Sequence, residues 1–321
     1  MAQVTAIGEL LIDFIPQGGG EDAPRFQAMP GGAPGNFAAA VRAYGVPSAI
    51  IAKVGEDAFG DLLLRAFTRC GVDTAGVVRE SGAFTTLAFV TLDGDGERRF
   101  SFARKPGADT LLRPEECSDA VLRDARLVHF GSLSLCCDPV RAATAHVLEG
   151  ARAAGKLISY DPNLRLPLWE SADAARSAIF WGLGRADIVK ISDEEVRFLW
   201  DCGEEEGASR ILREYGAGLV FVTCGGRGCY FAAPGAAGWV SAPAVRPIDT
   251  TGAGDIFFGA AVSRLLRREG GPLAGLTRGE LAAVARFACA AASLSTQRHG
   301  GIGSIVPEGE VLAALATCEG E

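Results

Sequence analysis

No stretch of about 18 uninterrupted apolar residues occurs in the chain, so no segment reads as a membrane-spanning helix. No cluster of Lys and Arg interrupts a formal net charge of −8, which disfavours a phosphate-backbone partner such as nucleic acid. The nine cysteines have no CxxC spacing and are odd in number, with one adjacent pair, Cys136 and Cys137. That pattern disfavours a disulfide framework or a zinc site, and the thiols read as reduced core residues. Three dispersed histidines, His129, His146 and His299, lack metal spacing and read as core or surface residues. The segment from Met1 to Gly8 carries no basic residue before its apolar run, so no secretory leader is expected and the cytoplasm is the expected compartment.

Apolar mass is abundant. Hydrophobic residues make up 48% of 321 and charged residues 22%, enough for a substantial core and too little charge for disorder. Short β-branched runs alternate with amphipathic segments: strands at 127–130, 157–160, 187–191 and 218–223, helices near 115–125, 139–154 and 281–294. This pattern predicts an α/β fold with a mostly parallel sheet covered by helices on both faces. Ligands then gather at the C-terminal strand ends, where Asp161, Asn163, Arg165, Ser192, Glu195 and Thr223 fall.

The first apolar runs, 4–7 and 10–14, are broken by Gly8-Glu9 and suit a strand that opens into a site carrying Asp13. Residues 17–30 are polar and rich in Gly and Pro, so they read as loop or lid edge. Asn36 begins a helical pattern, either as an N-cap or as a group with both donor and acceptor for a ligand hydroxyl. A strand at 48–54 precedes Asp57, read as structural. Runs 85–92 and 98–102 flank Asp93-Gly94-Asp95-Gly96 and predict a hairpin, with Phe100, Phe102 and Arg104 on one face. Gly150 to Leu157 imitates a P-loop, but Leu157 stands where Ser or Thr must bind magnesium and the order is helix then strand.

The most informative stretch is Asp249-Thr250-Thr251-Gly252-Ala253-Gly254-Asp255, followed at once by an apolar helical pattern. Its glycines let amide groups converge at a helix N-terminus, which carries partial positive charge and binds anions. Asp255, in the first turn, could take a proton from a hydroxyl beside that anion, as phosphoryl transfer to an alcohol requires.

With Gly31-Gly32-Ala33-Pro34-Gly35-Asn36, this stretch resembles the paired signatures of the ribokinase-like (phosphofructokinase-B type) carbohydrate kinases. Further matches run from about Gly8 to Ser304, and the segments 160–169 and 190–195 are similar to those of fructokinases. The resemblance implies a single ribokinase-like domain over 1–321, with a small β-sheet lid from segments of about 11–31 and 84–108. It implies an ATP-dependent sugar kinase converting D-fructose to D-fructose 6-phosphate, with 2-keto-3-deoxygluconate or another furanose as alternative substrate, and a silent sugar-binding regulator as a further reading. Asp255 would be the base, with Gly252, Ala253 and Gly254 holding the developing charge; Asp13, Gly32, Asn36, Phe100, Arg104 and Asn163 would hold the sugar. Ser192, Thr223, Gly225, Gly228 and Cys289 would meet ATP, and Glu195 would hold magnesium through water. Asp249, Thr251, Ser295, Gly300 and Ser304 match the region where related kinases hold a monovalent cation such as potassium. A monomer or a homodimer is expected, with no nucleic-acid or membrane partner.

Overall fold

The alternation of apolar runs with turn residues resolves into strands of two separate sheets. The computed structural model describes residues 1–18, 24–92 and 98–318. In chain order the strands are β1 (Val4–Ile7), β2 (Leu11–Pro16), β3 (Phe26–Gly31), β4 (Ser48–Gly55), β5 (Asp73–Glu80), β6 (Thr86–Leu92), β7 (Arg98–Ala103), β8 (Leu127–Gly131), β9 (Leu157–Asp161), β10 (Ile188–Ser192), β11 (Leu219–Thr223), β12 (Cys229–Ala233) and β13 (Ala236–Val240). The helices are α1 (Ala33–Ala43), α2 (Ala58–Arg69), α3 (Asp119–Leu122), α4 (Val140–Ala153), α5 (Ala172–Leu183), α6 (Asp193–Trp200), α7 (Glu204–Tyr215), α8 (Ala253–Leu266), α9 (Arg278–Ser295) and α10 (Glu308–Cys318).

Nine strands form the main sheet in the order β13-β12-β11-β10-β9-β8-β1-β4-β5. Neighbours from β5 to β11 are parallel, and β12 and β13 add an antiparallel edge. Because side chains alternate across a strand, each strand feeds two cores. In β4, Ile50, Ala52 and Val54 pack with α1, α8 and α9 on one face, while Ala49 and Ile51 join the core under α4 and α5 on the other. This is the two-sided burial that a parallel sheet requires.

The small sheet runs β3-β2-β6-β7, with β2 and β6 parallel and the outer pairs antiparallel. The two amino-terminal apolar runs therefore belong to different sheets. At the break, Gly8 takes φ 150°, and a Cβ there would stand 2.7 Å from Pro34 Cγ, so the chain turns where α1 comes close.

Several details depart from expectation. Part of the segment read as loop or lid edge is a strand, β3, where Pro30 is tolerated because β3 lies on a sheet edge. Asn36 lies inside α1 and is not its cap; Gly32, at φ 107°, holds that position. The helix expected over 115–125 shrinks to a 3₁₀ turn and the four-residue α3. Of eight described cysteines, Cys224, Cys229 and Cys289 are buried, whereas the other five are half-buried or exposed. As expected, Asp57 caps α2, and α4 ends just before Gly155, at φ 68°, without a phosphate loop. Among the described residues no helix is long and apolar enough to cross a membrane.

Candidate active site

Helix α8 starts where Gly252 adopts φ 79°, a left-handed conformation that suits glycine. A Cβ on Gly252 would stand 3.0 Å from Gly301 Cα and 3.3 Å from Asn36 Nδ2, so the turn is close-packed as well as left-handed. Within α8, Gly259 brings the helix against α1: a Cβ there would lie 2.8 Å from the Phe37 carbonyl. The first amides of a helix lack intrahelical acceptors, and here they open onto two cavities that share Thr250 and Gly254.

The first cavity, about 400 Å³, lies between the two sheets. Asp255, Asp13, Gly32, Asn36 and Asn163 all line it, although they come from α8, β2, the turn before α1, α1 itself and the loop after β9. Asp255 Oδ2 accepts from Asn36 Nδ2 at 2.8 Å, which orients the carboxylate. The Asn36 amide donor is thereby engaged with the base, and its buried Oδ1 is left without a partner. Burial pushes the Asp255 carboxyl up to about 7; nearby Asp161 adds to this, while the Asn36 bond, Lys190 and Arg165 oppose it. Burial likewise raises Asp13 to about 7 against the pull of Arg165. Asn163 sits at φ 44° with its amide on Asp161 Oδ1 at 3.2 Å, a local bond that supports the left-handed turn.

Three groups here carried no assigned role in the sequence. Glu9 is 3% exposed; its Oε1 accepts from the Ala33 amide at 3.1 Å, and its Oε2 is buried without a partner. Burial pushes its carboxyl up to about 7. Lys190, from β10, pairs with Asp161 at 3.0 Å and stands close to the α8 mouth: a Cβ on Gly254 would lie 2.9 Å from Lys190 Nζ. Burial alone would lower its pKa, but Asp161 and Glu195 outweigh that and hold it above its usual value. Arg165 lines the same cleft, and its charge favours the ionised forms of Asp13 and Asp255.

The second cavity, about 320 Å³, is lined by Thr223, Gly225, Gly228, Pro243, Val245, Phe257 and Cys289 among others. Among the described residues no charged side chain lines it. Gly228 has φ 110°, and a Cβ there would stand 2.0 Å from the Val240 carbonyl, so glycine keeps this wall thin.

Other expected residues fall elsewhere. Ser192 and Glu195 line neither cavity. They form the capping box of α6, and the Glu195 carboxylate accepts the amides of Ser192 at 2.8 Å and Leu164 at 2.7 Å. Arg104 is buried against Asp109, with bonds of 2.6 and 2.9 Å, and does not line the cleft. Phe102 does line it; the side chain of Phe100 lies outside the described residues, as do those of Arg98 and Arg99. Arg227 bridges Asp193 at 2.9 Å and Glu204 at 2.5 Å. His129 is buried and stacked on Phe37 with centroids 3.7 Å apart.

Of the expected cation residues, Asp249, Thr251, Gly300 and Ser304 are joined in one loop cluster, and Ser295 ends α9. Asp249 Oδ1 accepts from the Thr251 amide at 2.9 Å and Oδ2 from the Gly300 amide at 3.0 Å, while the Ser304 amide donates to the Gly300 carbonyl at 2.9 Å. Ser295 and Ser304 are both buried. Carboxylate, hydroxyl and carbonyl oxygens are the donor set a hard monovalent cation takes.

Comparison with known proteins identifies the family. The pfkB family carbohydrate kinase model matches residues 1–308. Fructokinase-1 of Zea mays is 42% identical over 317 residues, covering 97% of each chain. The crystal structure of fructokinase with bound ATP from Xylella fastidiosa superposes with a TM-score of 0.91 at 32% identity, covering 99% of this chain and 100% of that one. Fructokinase from Vibrio cholerae, solved with fructose, ADP and calcium ion, gives a TM-score of 0.86 at 30% identity over 98% of each chain. With its matched sequence running almost end to end and its two cavities meeting at the α8 mouth, the chain belongs to the pfkB family of carbohydrate kinases.

Proposed function

We propose that this kinase is a fructokinase that transfers the γ-phosphoryl group of ATP to the C6 hydroxyl of D-fructose, giving D-fructose 6-phosphate and ADP. The observation that carries the reading is the meeting of a polar, carboxylate-lined cleft with an uncharged cavity at one helix mouth, Asp255 standing on the polar side. The uncharged cavity suits the adenine end of ATP, with Thr223, Gly225, Gly228 and Cys289 around it. The polar cleft suits a polyol.

In this reading Asp255 receives the hydroxyl proton as the oxygen attacks phosphorus, and Asn36 keeps the accepting oxygen aimed. The amides of Gly252, Ala253 and Gly254 stabilise the charge that spreads over the transferring group, and Lys190 adds positive charge beside Gly254. Asp13, Gly32 and Asn163 position the sugar, and the unpartnered Glu9 Oε2 offers one more hydroxyl acceptor. The small sheet, carrying Phe102 to the cleft wall, acts as a lid that keeps water from the phosphoryl group. Magnesium, when bound, neutralises phosphate charge; Glu195 would reach it through water with lone pairs left by its two amide bonds. Potassium would be held by Asp249, Thr251, Ser295, Gly300 and Ser304. We place the enzyme in the cytoplasm, acting as one domain.

Initial rates with magnesium-ATP across a panel of sugars test this proposal. Fructose is expected to give the highest kcat/KM and fructose 6-phosphate as product. Arg165 on the cleft wall favours a second substrate class, carboxylated sugars such as 2-keto-3-deoxygluconate. If that acid outruns fructose, or fructose is among the poorest acceptors, the substrate assignment fails. The silent-regulator reading would require sugar binding with only background ADP formation.

A further inference from the structure

After β8 the chain makes a 3₁₀ turn, Ser132–Leu135, and then presents Cys136 and Cys137. The turn carries Leu133 to the wall of the sugar cleft. Cys136 Sγ lies 3.5 Å from Cys137 Sγ and 3.2 Å from Nη1 of Arg104. The same guanidinium donates to Asp109 and, at 3.1 Å, to the carbonyl of Leu133. Arg104 follows β7, the outer strand of the small sheet. One buried cation thus ties the small sheet, a sulfur atom and the wall of the sugar cleft together.

Both thiols are half-buried, and Cys136 is reachable from outside. It helps to line a third cavity of about 550 Å³, with Trp169, Trp181 and Arg141, distinct from the two at the α8 mouth. The bond from Cys137 is the largest influence on the Cys136 thiol, and with Arg104 it outweighs burial and brings the thiol down to about 6. That lowering favours the thiolate, the nucleophilic form.

We propose that Cys136 and Cys137 form a hydroperoxide-reactive dithiol whose closure to a disulfide loosens Arg104 and so weakens sugar binding. The Cys136 thiolate attacks one oxygen of hydrogen peroxide; the O–O bond breaks and the released hydroxide takes a proton to become water. Cys136 is left as a sulfenic acid. The Cys137 sulfur attacks it, the S–O bond breaks, and the hydroxyl leaves as a second water with the Cys137 proton. Two thiols have supplied two electrons, one peroxide has become two waters, and one S–S bond has formed. Neighbouring Cα atoms are about 3.8 Å apart, below the roughly 4.4–6.8 Å of ordinary disulfides, so the bond is strained and readily reduced. Closure removes the sulfur anion from Arg104, whose remaining partners include the Leu133 carbonyl at the cleft.

The test treats the full chain with hydrogen peroxide and follows the tryptic peptide 127–141, whose cysteines are Cys136 and Cys137 alone. The peptide should become lighter by two hydrogen atoms and regain them in dithiothreitol. In Cys137→Ser, oxidation should stop at a dimedone-trappable sulfenic acid on Cys136; in Cys136→Ser, the peptide should stay unmodified at the same dose. In parallel, KM for the best acceptor of the sugar panel should rise about fivefold, with kcat and KM for ATP nearly unchanged, a shift of the size one lost polar support produces. The mass shift does not depend on turnover, so a failed fructose assignment leaves it readable. An unchanged peptide while exposed Cys70 oxidises, or a two-hydrogen loss in either single variant, overturns the dithiol. A disulfide that leaves sugar KM unmoved overturns its coupling to the cleft.

Discussion

The two cavities at the mouth of α8 share Thr250 and Gly254 and are otherwise built from opposite chemistries. One includes Gly, Pro, Val, Phe and Cys in its lining and has no charged side chain among the described residues; the other gathers Glu9, Asp13, Asp255, Arg165 and Lys190. An apolar slot discriminates mainly by shape, and a methylene more or less there is worth about 1–3 kcal/mol. A polar cleft discriminates by hydrogen bonds, and its buried carboxyls couple function to pH. The division suits the proposed reaction: a nucleotide base fits an uncharged slot, whereas a hydroxyl that must lose a proton needs a base whose affinity for protons has been raised.

The sharpest way to break the comparison is Asp255→Asn, which keeps the shape of the polar side and removes its base. Turnover should fall by about 100-fold or more, the usual worth of a positioned base, with ATP binding by calorimetry nearly unchanged. Equal losses in both quantities would mean that Asp255 shapes the helix mouth and does not act as base.

Acidity should act on the polar side alone. As the proposed base Asp255 would have to be ionised, and its carboxyl is raised to about 7, so kcat/KM for sugar should rise about tenfold per pH unit up to about 7 and then level. Stability should respond with the opposite sign. The raised carboxyls of Glu9, Asp13 and Asp255 bind more protons folded than unfolded between pH of about 4 and 7. Their contribution is therefore full below about pH 4 and is lost as pH rises through about 7. A flat rate profile from pH 5.5 to 7.5 would contradict the raised base.

On the uncharged side, Cys289→Phe should fill part of the cavity. KM for ATP should rise about tenfold while KM for sugar and the pH profile stay as they were, because lost shape is worth about that much. A shifted pH profile in this variant would show that the two sides are not separable.

The smallest effect is expected from Glu9→Gln. Removing one raised carboxyl should stabilise the protein at pH 6 relative to pH 5, by about 1 kcal/mol in urea midpoints converted to free energy. An identical offset at both pH values would mean that the Glu9 carboxyl is not raised.

Much of this was readable before any coordinates. The β-branched runs of β8 to β11 are unambiguous because a strand buried on both faces needs apolar residues throughout. The start of α8 was readable because Gly252 and Asp255 carry their geometry and charge within four residues. β3 was misread because an edge strand needs little apolar content. Arg104 stood out as a basic residue near a hairpin, yet its partner Asp109 captures it, while Arg165, noted only for its place after a strand end, lines the cleft. Ser192 and Glu195 hold each other and Leu164, and of this the sequence shows only the capping box, since Leu164 lies 31 positions from Glu195. The weight of Glu9 and Lys190 lies wholly in what surrounds them, and burial has no local sequence signal.

Local order and composition, then, already determined a two-sided parallel sheet, a glycine-opened helix mouth and the acid beside it, since each depends on neighbours within a few residues. Folding decided which groups face one another: Asn36 on Asp255 across 219 positions, Lys190 on Asp161, Arg104 on Cys136. Hydrogen bonds and charge are short-ranged in space and indifferent to distance along the chain, so only packing could assign those partners and the pKa values that follow from them.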